Sequence, residues 1–144
     1  MPVTNAPLSR QQISALIPHG DSMCMLDEVT GWNDEQIQCR STQFASDLNP
    51  LFEGGRLETV LLIEYAAQAA AIHAALLQSE LGKPRPAYIG AVKNIELLQA
   101  VDNTLAIEIS AHCLLNNSSG AIYEFVATQD NCALMKGRLI LNQP

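Results

Sequence analysis

The stretch from Leu57 to Leu77 constrains the fold more than any other part of the sequence. It is rich in alanine and leucine and is long enough for about six helical turns. A helix that is apolar on nearly every side must be covered on most of them. The sequence therefore predicts a central helix from about Glu58 to Leu81, ended by the glycine and prolines that follow.

A membrane span over the same stretch is disfavoured. It would bury Glu58, Glu64, Gln68 and His73, and each charge near the bilayer centre costs about 2.5–3.5 kcal/mol on insertion scales. The first residues lack the basic and apolar regions of a secretory signal. We therefore expect a cytoplasmic protein with no membrane insertion.

The segments around this helix indicate the fold class. Before the central helix, the sequence predicts a short helix at 8–17 capped by Ser9, strands at 23–30 and 36–44, and an irregular segment at 45–56. After it, the sequence predicts four more strands, at 87–93, 105–115, 121–129 and 133–141. In the strand at 36–44, Ile37, Cys39 and Ser41 alternate with polar neighbours. An antiparallel sheet curved around one long helix satisfies this order within one domain of 144 residues. We predict an α+β protein, residues 1–144, with the layout of a single hotdog domain.

Charge and cysteine usage exclude two classes of function. A net charge of −7 without a basic stripe argues against nucleic-acid binding. The four cysteines are widely spaced and form no C-x-x-C pair, so we predict no metal site and expect reduced thiols packed as small apolar residues.

Glu64 is a charged side chain in the middle of the apolar stretch of the predicted helix. Helical geometry places it on one face with small or apolar residues and one amide: Val60, Leu61, Ala67, Gln68 and Ala71. A poorly solvated carboxylate suits a group that exchanges protons near neutral pH. Gln68, one turn later, can donate a hydrogen bond to Glu64 or to a ligand. The alternative is that Glu64 faces a solvent gap or pairs with a buried arginine.

Two further positions are candidates for the same chemistry. His19 lies between Pro18 and Gly20 on a predicted loop, where an imidazole can act as an acid or base, or can simply stabilise a turn. Gly54 and Gly55 offer exposed backbone N–H groups that can polarise a thioester carbonyl, or form a plain turn before the helix.

The other two histidines are not candidates. His73 follows Glu64 by nine residues, which places it on roughly the opposite side of the helix and predicts a core or interface role. His112 lies in a predicted strand with no catalytic group around it.

Three motifs resemble the 3-hydroxyacyl-acyl-carrier-protein dehydratases. Residues 16–27 (L-I-P-H-G-D-S-M-C-M-L-D) are similar to their P-H-x-x-x-x-L-L-D motif. Residues 49–52 (N-P-L-F) and 62–70 (L-I-E-Y-A-A-Q-A-A) resemble their N-x-P-F-F segment and their I-x-E-A-M-A-Q-A-A helix. Together with G-R-L at 55–57, these motifs resemble the divergent branch of the family found in aryl polyene biosynthesis.

This resemblance implies a hotdog dimer with a tunnel for an acyl chain carried on phosphopantetheine. It implies a His–Glu pair whose members come from different protomers, with Glu64 as the catalytic carboxylate and Gln68 as the accompanying amide. The family's G-H-F-P histidine is missing, because Gly55 stands at its position.

Three hypotheses follow. The first is a dehydratase without a cofactor, with His19 as base, Glu64 as acid, Gln68 orienting the carboxylate, and Gly54 and Gly55 binding the thioester oxygen. The second is a non-catalytic hotdog subunit that pairs with an active dehydratase. The third is an acyl thioesterase. The expected partners are an acyl carrier protein and a second hotdog chain in a homodimer or heterodimer. Lys83, Arg85 and Lys93 can meet the acidic carrier, or can be simple solubilising charges.

Overall fold

The computed structural model describes residues 7–16, 24–42, 44–46, 49, 51–79 and 88–142. The helices are α1 (Arg10–Ser14) and α2 (Leu62–Ser79), and a 3-10 helix at Thr59–Leu61 precedes α2. The strands are β1 (Leu8–Ser9), β2 (Glu28–Trp32), β3 (Gln36–Ser41), β4 (Phe52–Glu53), β5 (Arg56–Leu57), β6 (Tyr88–Leu97), β7 (Ile107–Asn117), β8 (Gly120–Gln129) and β9 (Cys132–Asn142).

Among these residues, seven strands form one antiparallel sheet in the order β1-β2-β3-β7-β8-β9-β6. Strands β4 and β5 form a separate hairpin. Helix α2 packs mainly on β3, β7 and β8. The predicted α+β arrangement of one long helix on an antiparallel sheet is therefore confirmed.

Alternation of side chains decides which face of the sheet the helix covers. Ile37, Cys39 and Ser41 of β3 are buried, as the sequence predicts. Cys39 lies opposite Ile109 of β7, and Ile109 lies opposite Ala127 of β8. All of these side chains are buried on one side, so the register places the apolar positions of neighbouring strands in one continuous core.

Small side chains let the sheet approach helix α2 closely. Ala66, Ala69, Ala70 and Ala74 have no exposed surface. The stretch Thr59–Leu77 is long and apolar enough to cross a membrane, but 72% of it is buried inside the structure, as in the core helix of a soluble protein. The prediction of a central, covered helix is thus confirmed.

The N-terminal segments differ from their predicted bounds. Helix α1 ends at Ser14, although its Ser9 cap is present as a capping box with Gln12. Strand β2 begins only at Glu28, because the backbone N–H of Met25 bonds to a helix side chain instead of a neighbouring strand.

The end of the predicted strand at 23–30 and the irregular segment at 45–56 also need correction. Trp32 belongs to β2, and the turn is made by Asn33, whose Oδ1 accepts from the backbone N–H groups of Glu35 and Gln36. The irregular segment contains the β4–β5 hairpin, whose two-residue strands are too short to show a periodic pattern.

His73 has no exposed surface and joins three parts of the fold, which confirms its predicted core role. Its Nε2 lies 2.7 Å from the Asn33 carbonyl oxygen, which can only accept, so Nε2 carries the proton. Its Nδ1 therefore accepts from the Tyr123 hydroxyl at 2.6 Å. Burial lowers the pKa of His73, so its neutral form holds α2 to the β2–β3 turn and to β8.

We predict that acid destabilises the chain through His73. Its pKa is lower in the folded chain than the usual value of about 6.5 in the unfolded chain, so the unfolded chain takes up the proton first. The His73 contribution should be constant above about pH 6.5 and should decline below it. Urea denaturation at several pH values measures the slope. His73→Met should flatten it and His112→Gln, at an exposed position, should not; an unchanged slope in His73→Met would contradict the prediction.

Candidate active site

Glu64 lies in the first turn of helix α2, where the positive end of the helix dipole favours a carboxylate. It is partly exposed, as are Val60, Ile63 and Ala71 at helical spacing, whereas most of the helix is buried. Val60, in the 3-10 helix, is 47% exposed. Glu64 is thus the charged group on a narrow apolar stripe that the chain's own sheet does not cover.

Gln68 connects Glu64 to a distant part of the chain. Its side chain is buried, and its Oε1 accepts from the backbone N–H of Met25 at 2.8 Å. This bond fixes the amide orientation and turns Nε2 toward Glu64, where it lies 3.4 Å from Oε1 of the carboxylate. The structure therefore brings together the Glu64–Gln68 pair that the helical spacing predicts, in a long hydrogen bond.

Arg10 and Asp27 hold the segment that contains Met25. The Arg10 guanidinium donates to the Cys24 carbonyl at 2.8 Å and to the Asp27 carboxylate at 3.1 Å. Asp27 also accepts from the backbone N–H and the hydroxyl of Thr42. Asp27 therefore joins α1 to the end of β3, a structural role that goes beyond a solvated surface carboxylate.

His19 lies outside the described residues. The described chain stops at Leu16, three residues before His19, and resumes at Cys24. Its position relative to Glu64 therefore stays a prediction.

Gly54 and Gly55 form the turn of the β4–β5 hairpin. Their φ angles are +62° and +77°, in the left-handed region that glycine adopts without steric cost. The Gly55 carbonyl accepts from the side-chain amide of Asn103 at 2.8 Å. The turn thus belongs to a hairpin that ends two residues before the 3-10 helix.

A cleft of about 570 Å³ lies between this hairpin and the start of the helix. Its lining residues come from both elements and are Leu51, Glu53, Gly54, Arg56, Glu58 and Leu61. Glu64 is not among them. Arg56 and Glu58 form an exposed ion pair at 2.9 Å.

Asn49 and Tyr65 are two site residues whose connection the sequence analysis did not predict. Tyr65 follows Glu64 in α2 and is fully buried, and its hydroxyl accepts from the Asn49 side-chain amide at 3.0 Å. Burial raises the pKa of Tyr65 to about 12, so its hydroxyl stays protonated at neutral pH. The signal in the sequence is the Asn49-Pro50 pair, which is typical of a turn but does not indicate which residue Asn49 contacts.

Strand β6 carries apolar side chains that the helix leaves uncovered. Ile89, Val92 and Leu97 are 42%, 40% and 57% exposed. They lie opposite buried residues of β9, namely Leu141, Leu139 and Met135, and so belong to the helix side of the sheet. Strand β6 is also the last strand of the sheet. A large apolar surface at a sheet edge is typical of an interface.

No group of three or more metal-binding side chains occurs within the described ranges. The four cysteines are free thiols, of which Cys24 and Cys39 are buried as predicted and Cys132 is exposed.

A family model named ApeP-like and described as ApeP dehydratase matches residues 11–144. No curated protein matches the sequence.

Solved structures resemble the whole arrangement. A chain of the dehydratase heterocomplex ApeI:P from Xenorhabdus doucetiae is 20% identical, with a TM-score of 0.82 over 95% of this chain and 91% of that one. A hypothetical thioesterase with coenzyme A from Streptococcus pneumoniae is 12% identical, with a TM-score of 0.62 over 81% and 84%. The E. coli PaaI protein is 12% identical, with a TM-score of 0.60 over 81% and 77%. These likenesses confirm the hotdog fold.

We predict that Gln68→Leu lowers the free energy of unfolding by about 1–3 kcal/mol, because the buried N–H of Met25 loses its acceptor. Denaturant titration measures the loss. The matched control is Gln38→Leu, at an exposed position of β3, which should change stability by less than about 0.5 kcal/mol. Equal effects of the two substitutions would show that the hydrogen bond between Gln68 and Met25 makes no specific contribution to the free energy of unfolding.

Proposed function

Because the chain belongs to the ApeP-like dehydratase family, we propose that it acts in the dehydration of 3-hydroxyacyl thioesters on acyl carrier protein to trans-2-enoyl thioesters. The observation that carries this proposal is the placement of Glu64. It is a carboxylate on an otherwise apolar, partly exposed stripe of the central helix, with the amide of Gln68 turned toward it.

The reaction needs one base and one acid. The base removes a proton from C2, the C3–O bond breaks, and the acid protonates the departing hydroxyl to give water as the C2–C3 double bond forms. We assign the acid to Glu64 and the base to His19, with Gln68 orienting the carboxylate. The elimination is redox-neutral, so the proposal includes no cofactor beyond the phosphopantetheine that carries the substrate.

The anchoring of Met25 supports the assignment of His19. Met25 follows His19 by six residues, and its backbone is bonded to Gln68, one turn from Glu64. Six residues span at most about 20 Å, so the length of chain between His19 and Met25 allows His19 to reach the carboxylate. Backbone N–H groups of Gly54 and Gly55 would polarise the thioester oxygen.

A heteromeric form of the site is the second candidate. Gly55 stands where the family's G-H-F-P motif has its histidine, and a hotdog partner can supply that histidine to Glu64 across a dimer interface. The uncovered apolar residues of β6 favour such a partner, and the similar structure from X. doucetiae is a heterocomplex. In this form the chain contributes Glu64 and the wall of the acyl tunnel.

We also propose that the chain binds an acyl carrier protein and that it is located in the cytoplasm. Carrier proteins are acidic, so basic side chains would meet them. Lys93 is exposed on β6, whereas Lys83 and Arg85 lie outside the described residues.

We predict that purified chain, alone or with a co-expressed hotdog dehydratase, converts a short 3-hydroxyacyl-carrier thioester to its enoyl product. If His19 is the base, His19→Ala should reduce the rate about a hundredfold or more, the low end for general acid–base catalysis. If the partner supplies the histidine, activity should need the partner and survive His19→Ala. Release of free acid and thiol without enoyl product would instead indicate the thioesterase, and would overturn the proposal.

We predict that Val92→Asp prevents association with the partner or a second copy, because it places a charge in the apolar surface of β6. Sedimentation or size-exclusion chromatography of the co-expressed pair measures this. Leu114→Asp is the matched control, since Leu114 is 45% exposed against 40% for Val92 but lies on β7. Dissociation by both substitutions, or by neither, would contradict an interface at β6.

A further inference from the structure

Tyr65 follows Glu64 in helix α2, and its ring is buried in the core. Among the described residues, its hydroxyl makes one hydrogen bond. That hydroxyl accepts from Nδ2 of Asn49 at 3.0 Å. Phenylalanine would fill the same space, so packing alone does not require the hydroxyl. What the hydroxyl adds is a bond between helix α2 and the chain that precedes the β4–β5 hairpin.

Asn49 organises that preceding chain through almost every polar group it has. Its Nδ2 donates to the Phe44 carbonyl at 2.8 Å as well as to Tyr65. Its Oδ1 accepts from the N–H of Leu51 at 3.0 Å, and its carbonyl accepts from the N–H of Phe52 at 3.1 Å. Phe52 is the first residue of β4, so the start of the hairpin is bonded directly to Asn49.

The β4–β5 hairpin packs on the core through Leu57, which is buried, and Phe52, but it makes few other hydrogen bonds among the described residues. It does not join the seven-stranded sheet, and an isolated two-stranded hairpin is at best marginally stable. The Asn103 bond to the Gly55 carbonyl is exposed, and exposed hydrogen bonds compete with water. Asn49 is buried, so its bond to Tyr65 does not face that competition.

The geometry points to Asn49 and Tyr65 as positioning residues for the proposed dehydration: they hold the hairpin that carries Gly54 and Gly55 in a fixed relation to the helix that carries Glu64. This inference rests on the proposed function. Neither residue touches the reacting atoms. Their effect is on the alignment of the hairpin backbone with the substrate, where a displacement of about 1 Å can cost about a hundredfold in rate.

The test is Tyr65→Phe in the full chain with its co-expressed hotdog partner, compared with Tyr123→Phe. Both substitutions remove the hydroxyl of a fully buried tyrosine, but Tyr123 bonds to His73. Steady-state kinetics with a 3-hydroxyacyl-carrier thioester give kcat and KM. Amide hydrogen exchange, which needs no activity, reports the mobility of Phe52 and Gly55 in each variant.

We expect Tyr65→Phe to lower kcat about tenfold or more, to change KM less, and to speed exchange at Phe52 and Gly55. Tyr123→Phe should lower stability and leave kcat and hairpin exchange unchanged. Asn49→Ala should lose at least as much activity as Tyr65→Phe, because it also removes the bonds to Phe44 and Leu51. The double variant should lose no more activity than Asn49→Ala alone, because both substitutions break the same link.

Unchanged kcat in Tyr65→Phe, or an equal loss in Tyr123→Phe, would overturn the positioning role. Unchanged exchange at the hairpin would overturn the link itself, whatever the kinetics. Wild-type complex that forms no enoyl product would overturn the proposed function and the positioning role with it, and the exchange data would still show separately whether the link exists.

Discussion

The structure depends on the burial of one helix that has almost no polar side of its own. Helix α2 is covered by β3, β7 and β8, and its alanines let those strands approach closely. Because burial of apolar surface is the main favourable term in folding, the sheet has to curve around this helix. His73 shows how strict the requirement is, since its polar nitrogens are both satisfied inside the core. What the sheet leaves uncovered is a narrow stripe, and Glu64 lies on it.

The site is built from contacts between helix α2 and segments far away in sequence. Gln68 accepts a hydrogen bond from the backbone N–H of Met25 and faces Glu64, while the Tyr65 hydroxyl accepts one from the side-chain amide of Asn49. Neighbouring positions of one helix thus hold the chain after His19 and the chain before the β4–β5 hairpin. The helix therefore lies at the centre of the core and also positions the segments of the proposed site.

Periodic features of the fold could be predicted from the sequence, and contacts between distant segments could not. The apolar helix, the alternation in β3 and the inward position of His73 all follow from fixed angles between successive residues. The Glu64–Gln68 pair follows from the same geometry. The hydrogen bond between Gln68 and Met25 spans 43 positions, and the local sequence around either residue does not predict the contact. The exposure of Ile89 and Val92 depends on how far the helix extends over the sheet, which the pattern of β6 alone does not contain.

The most direct test of this account is the dehydration rate of Glu64→Gln in the complex with its hotdog partner, measured beside Glu58→Gln. Both glutamates lie near the start of the helix, but Glu58 is exposed and paired with Arg56. The account predicts a loss of about a hundredfold or more for Glu64→Gln and little change for Glu58→Gln, with both proteins folded. A Glu64→Gln complex that dehydrates as fast as wild type would contradict it and would reduce Glu64 to a structural residue.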